Sequence, residues 1–210
     1  MDTTRRTLLS TCGIGTLALL AGCLGGGGGD GTETDLPTDT TDDSDDTRPS
    51  GTGGPGLALV STDERPDAPV RPEIEVTRDA ATADHPPGLR ATVTNEGDRT
   101  LTLGEGRAIV FAYRYDTSDQ LQLLPAGEDY PAEPDCWRLT EPIAVTEEYQ
   151  MVTLEPGEST SRDLELYGAP GEDACLPVGT FRFESPFSVM DEPDGEEVAS
   201  FTWGFEVSLE

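Results

Sequence analysis

The chain has 210 residues, with 42 acidic side chains against 13 basic ones, a net charge of −29 and a hydrophobic fraction of 34%. Every basic residue is arginine and none cluster after Arg6, which excludes nucleic acid as an expected partner, because phosphate binding needs concentrated cations. At low salt such charge opposes compaction, but at molar salt the Debye length falls to ~3 Å, so acids spread along the whole chain read as halophilic adaptation.

Residues 1–22 are expected to be a signal peptide. Arg5 and Arg6 precede an apolar or small-residue run that is too short for a span of ~20 apolar residues, the pattern of a twin-arginine export signal. The stretch Leu20-Ala21-Gly22-Cys23 resembles the lipobox of lipoprotein precursors. That resemblance implies cleavage before Cys23, lipid on its sulfur and a place on the outer side of the cell membrane. The competing reading is an uncleaved amphiphilic anchor in which Cys23 is an ordinary thiol.

Residues 23–56 carry five consecutive glycines and a run of Thr, Asp and Gly, with Leu36 the one large apolar side chain after Leu24. Nothing there can pack a core, so a disordered acidic tether is expected, with a reach of about 30 Å.

From Leu57 to Glu210 apolar residues recur with period two: Ile74 and Val76; Leu89, Ala91 and Val93; Leu101 and Leu103; Ile109, Phe111 and Tyr113; Leu164 and Leu166; Phe181 and Phe183; Phe201, Trp203, Phe205 and Val207. Turn clusters separate them and no window offers three clean helical turns. An all-β fold is expected, an antiparallel sandwich of seven to nine strands. Asn95-Glu96-Gly97-Asp98 is read as a hairpin joining the strands on either side, and Pro156-Gly157 as a second one. Pro177 to Phe183 reads as the launch of another strand. The course of residues 116–135, strand or long loop, stays open.

The order of strand, N-x-G turn, strand, L-x-P-G-E and P-x-G-x-F resembles immunoglobulin-like modules of exported prokaryotic proteins. It is similar, more loosely, to the immunoglobulin-like domain of the bacillar intracellular proteinase inhibitors. From end to end the chain resembles haloarchaeal twin-arginine-exported lipoproteins, on the signal, the lipobox, the tether, and the stretches Cys136-Trp137-Arg138-Leu139, Ala174-Cys175-Leu176-Pro177 and Phe201-Thr202-Trp203-Gly204-Phe205. This resemblance implies an address and an architecture and brings no activity with it.

Cys136 and Cys175 are the two cysteines of the exported part, and in an oxidising compartment the simplest reading is a disulfide. Blue copper needs two histidines and a cysteine, and this chain has one histidine, His85. The same shortage weighs against a Ser or Cys nucleophile with a histidine base. Paired-carboxylate glycosidase chemistry would need a deep cleft. The expectation is therefore no enzyme. Asp191, Asp194 and Glu196 sit in an acid-rich stretch that could hold Ca2+, since hard cations want clustered oxygens; a solvated acidic hairpin turn is the plainer reading. Tyr113, Tyr115, Tyr130, Trp137, Tyr149 and Tyr167 are candidates for a ligand or partner surface, although Trp137 also suits packing on the disulfide and Trp203 the core.

Two functions fit this pattern. The first is a lipid-anchored, non-catalytic module that binds or supports an unknown envelope protein. The second is capture of a small ligand or of Ca2+ for uptake or sensing.

Overall fold

The computed structural model describes residues 55–146, 148–171, 175–191 and 195–210. Arg5, Arg6, Leu20, Ala21, Gly22, Cys23 and the tether as far as residue 54 lie outside the described residues, as does Asp194.

The described part is all β. Its strands are β1 (Leu57–Thr62), β2 (Val70–Arg78), β3 (Gly88–Asn95), β4 (Leu101–Gly104), β5 (Leu121–Pro125), β6 (Met151–Leu154), β7 (Ser159–Gly168), β8 (Gly179–Met190) and β9 (Glu197–Leu209). They form two antiparallel sheets, one in the order β1-β9-β8-β4-β6 and the other β2-β3-β7-β5. The sandwich follows from the alternation. In β3, Leu89, Ala91 and Val93 face the interior; in β8, Phe181, Phe183, Phe187 and Val189 do so; in β9, Trp203, Phe205, Val207 and Leu209 complete the opposing layer. Gly56 already belongs to the fold, donating to and accepting from Glu210 at 2.7 and 3.0 Å.

Both expected hairpins prove to be crossovers between the sheets. β3 pairs with β2 and β7, whereas β4 pairs with β6 and β8, so Asn95 to Asp98 carries the chain from one layer to the other. Pro156-Gly157 does the same between β6 and β7. The physical reason lies in Asn95, which is fully buried. Its amide nitrogen donates to the carbonyls of Arg99 (2.7 Å) and Leu154 (3.0 Å), and its side-chain oxygen accepts from Gly97 N–H at 2.9 Å. Its backbone oxygen accepts from Gly157 at 2.8 Å and its backbone N–H donates to Glu158 at 2.9 Å. One side chain thus joins the two corners, where a two-residue hairpin would have used Asn for its φ alone.

The expected strand through Ile109, Phe111 and Tyr113 is also absent among the described residues. Phe111 and Tyr113 have φ of 60° and 61°, and the Ile109-Val110 peptide is cis. Positive φ breaks a ladder, so the alternation here sorts side chains along a loop. Phe111 enters the core, with ring centroids 5.1 Å from Phe205 and 6.0 Å from both Phe187 and Trp203. Tyr113 turns instead to a second cluster.

That second cluster covers the outer side of β5 and β7. Leu124, Leu139 and Tyr167 form its buried centre, with Tyr130 and Trp137 packed on them. The segment between β5 and β6 lies over it, clipped by the Cys136–Cys175 disulfide, whose Cα atoms are 4.8 Å apart. Gly168 lets the backbones meet there, because a Cβ at that position would strike the carbonyl oxygen of Cys175. Leu139 N–H donates to Gly168 O, and Gly168 N–H to Trp137 O, both at 2.9 Å.

Candidate functional site

The ionic pattern of the domain singles out one region. Arg65, Arg71, Arg78, Arg90, Arg138 and Arg182 each have a carboxylate oxygen within 2.8 Å, and Arg99 has one at 3.9 Å. For Arg114 and Arg162 no carboxylate lies within ion-pair distance among the described residues; Arg114 Nη2 donates to Glu105 O at 3.4 Å and Arg162 Nε donates to Ile109 O at 3.0 Å. The alternation of β7 explains where it points: Leu164 and Leu166 on the same register are core residues, so Arg162 continues that inward row beyond the end of the core.

Beyond that end is a cleft of about 320 Å³. Its walls are the loop carrying Arg107, Ile109 and Tyr113 and the segment that leads into β6, through Val145, Thr146 and Gln150, with Arg162 beside them. The loop is pinned from several sides. Gln150 N–H donates to Gly106 O at 2.7 Å, and Leu123 N–H donates to Arg114 O at 2.8 Å.

A further pin is Glu105, fully buried just past the end of β4. Its Oε1 accepts the Phe111 N–H at 2.8 Å. Burial pushes its carboxyl up to about 7, against the lowering pull of the Phe111 amide, the Ser185 hydroxyl and the Arg114 and Arg162 guanidiniums. Ser185 is close enough to act electrostatically, yet Glu105 Oε2 and Ser185 Oγ each lack a partner in hydrogen-bond geometry among the described residues. Below pH 7 the buried carboxyl is mainly neutral, a state in which Oε2 can carry a proton toward Ser185.

The other candidates scatter. Asp191 and Glu196 face each other across the β8–β9 loop, Asp191 N–H donating to Glu196 O at 3.4 Å, and Asp194 lies outside the described residues. Among the described residues no group of three or more His, Cys, Asp or Glu is placed to hold a metal. His85 sits in the loop before β3, its Nδ1 3.3 Å from Pro86 O. Tyr113, Tyr130, Trp137 and Tyr167 come together in the covering cluster, where burial pushes the Tyr130 and Tyr167 phenols up. Trp137 is held by a bond from its Nε1 to Thr82 O at 2.7 Å and by its edge-on contact with Tyr167. Tyr149 stands apart, half exposed, with its hydroxyl 3.4 Å from Ser188 Oγ.

Glu105 and Arg162 were missed by sequence reasoning. Glu105 carries no signal among 42 acids. Arg162 did carry one: in Arg162-Asp163-Leu164-Glu165-Leu166 it occupies the apolar phase of the alternation, where a charge needs a reason.

No protein-family model matches the chain, and no curated protein matches it.

Proposed function

We propose that the chain is a lipid-anchored, non-catalytic binding module of a halophilic cell surface. The twin-arginine pair Arg5 and Arg6 and the lipobox ending at Cys23 support the address. The observation that carries the binding role is the cleft beside Arg162, whose one wall, the loop from Arg107 to Tyr113, is tied by the buried Glu105–Phe111 bond and the exposed Arg162–Ile109 bond. A wall held in place before binding reduces the ordering cost of binding. Of the two forms such a module can take, envelope scaffold or capture of a small ligand for uptake or sensing, the cleft favours capture. Among the described residues no third ligand stands with Asp191 and Glu196, and Asp194 lies outside them.

Expression of the full chain and of Cys23→Ser in a halophilic host tests the address. The wild type should remain with membranes after washing at high salt, and Cys23→Ser should be released. A wild-type chain that washes off as readily as the variant contradicts the reading. Affinity purification from detergent-solubilised membranes tests the form: capture predicts that the chain is recovered without a stoichiometric protein partner, and a stoichiometric partner restores the scaffold.

A further inference from the structure

We infer that the edge strand β6 pairs antiparallel with β6 of a second copy of this chain, joining the two five-stranded sheets side by side. The pairing is independent of what the cleft holds.

A bare strand edge invites another strand, and folded chains blunt their edges with charges, proline, bulges or covering segments. Three of the four edges in this sandwich are blunted. β5 is covered: Asp116 N–H donates to Leu121 O at 3.0 Å, Leu123 N–H donates to Arg114 O at 2.8 Å, and Tyr115 bridges Gln122. β1 is capped where Leu57 N–H donates to Asp79 O at 2.7 Å and Gly56 bridges Ala80, and a bulge follows between Leu59 and Ser61. β2 carries Arg71, Pro72, Glu73 and Glu75 within the strand. β6 has none of these devices: from Met151 to Leu154 it holds no charge, no proline and no bulge.

The free groups of that edge follow from the ladder. Glu105 N–H donates to Gln150 O at 3.4 Å. Alternation along an antiparallel pair then turns the backbone groups of Val152 and Leu154 toward β4 and those of Met151 and Thr153 away from it. The outward N–H and C=O of Met151 and Thr153 have no partner among the described residues. Both residues are exposed, Met151 at 49%.

Charge selects a second copy as the occupant. A strand added to a chain of net charge −29 has to arrive without carboxylates of its own, because like charges set opposite each other destabilise a pair. β6 meets that condition. About a two-fold axis through Val152, Met151 of each copy lies opposite Thr153 of the other, and the four outward groups of each strand are matched in four hydrogen bonds. In the same register Glu148 falls opposite Pro156 and Glu155 opposite Tyr149, so no acid of this stretch faces an acid. The outer face beside the edge is uncharged too. Met151 and Thr153 stand in register with Gly104 and Thr102, and these with Ser188 and Met190, while the Tyr149 hydroxyl lies 3.4 Å from Ser188 Oγ. Two joined sheets continue that face.

Size sets the strength. A four-residue edge buries less than the ~800 Å² per partner of a standard interface, so the pair is weak in dilute solution and fills where chains are held close together.

Sedimentation equilibrium of the full chain at molar KCl, with detergent micelles in excess, measures the association. We expect monomer and dimer in exchange, with Kd of about 1 mM or tighter. Thr153→Pro removes an outward N–H and no bond to β4, so it should weaken association at least tenfold with the thermal midpoint of the wild type. Because a proline there can also disturb folding, a cysteine pair gives a second reading. Met151→Cys with Thr153→Cys should yield covalent dimers on mild oxidation in membranes, since hydrogen-bonded opposite residues lie ~5.5 Å apart between Cα atoms. Glu73→Cys with Glu75→Cys, on the charged edge β2, should not. The inference is overturned if the wild type stays a monomer, including one that takes up only a foreign strand. It is equally overturned if a folded Thr153→Pro chain associates as the wild type does, or if the β6 cysteine pair cross-links no more than the β2 pair.

Discussion

Glu105 accepts the backbone N–H of Phe111 at 2.8 Å, from a position with no solvent exposure. This bond ties the end of β4 to the loop whose next turn sends Phe111 into the core and Tyr113 to the outer cluster. The wall of the cleft therefore rests on a buried acid, and that acid gives the fold a pH dependence.

Its sign follows from the raised pKa. Glu105 titrates at about 7 when folded, against 4.5 for an unperturbed glutamate. The stability it contributes is fully present below about pH 4.5 and is lost as pH rises through 7, because the folded state holds the proton more tightly. The shift corresponds to about 3 kcal/mol. Glu105→Gln keeps an acceptor for Phe111 and should flatten the urea midpoint between pH 5 and 8 and raise it above pH 7. A variant with the wild-type pH profile would show that Glu105 is not the titrating group.

Asn95 joins the two crossovers. Asn95→Ala removes three side-chain hydrogen bonds and leaves the Leu154 carbonyl without its bond to Asn95 in a buried setting. A loss of about 2 to 4 kcal/mol in chemical denaturation is expected. Were the residue a simple hairpin turn former, Asn95→Gly would be tolerated; here it should be nearly as damaging as Asn95→Ala.

The Cys136–Cys175 disulfide closes a loop with a sequence separation of 39. On the chain-entropy view it stabilises by about 4 kcal/mol. Reduction should lower the thermal midpoint and raise proteolysis in the segment between β5 and β6, with β8 and β9 protected to a higher temperature. Equal midpoints for reduced and oxidised chain would contradict this.

Salt should act in the same direction throughout. Moving from molar KCl to ~0.1 M lengthens screening from ~3 to ~10 Å and lets the excess carboxylates repel, so the thermal midpoint should fall steeply. A midpoint independent of KCl would remove the halophilic reading of the composition.

Much of the sandwich was legible because period two is written directly in β3, β8 and β9, where every second side chain is core. Pairing was less so. Turn chemistry at Asn95 and Gly157 marks a change of direction, but which sheet the chain enters is decided by tertiary bonds such as Asn95 to Leu154. The Ile109, Phe111 and Tyr113 alternation misled for a related reason: two positive φ values give a loop the same side-chain sorting as a strand. Cys136 and Cys175 could be paired by count alone. Glu105 could not be found, since its burial depends on the turn that brings Phe111 back over it and on Ser185, far along the chain, whereas Arg162 broke the pattern of its own strand and could have been noticed.

A lipid-anchored surface module, as proposed, would be held at Cys23. Intact-mass and peptide mass spectrometry of the chain isolated from membranes measures this. The expected result is a mature chain beginning at Cys23 with the mass of a thioether-linked lipid on that residue; a chain retaining residues 1–22, or beginning at an unmodified Cys23, would contradict the proposed anchor.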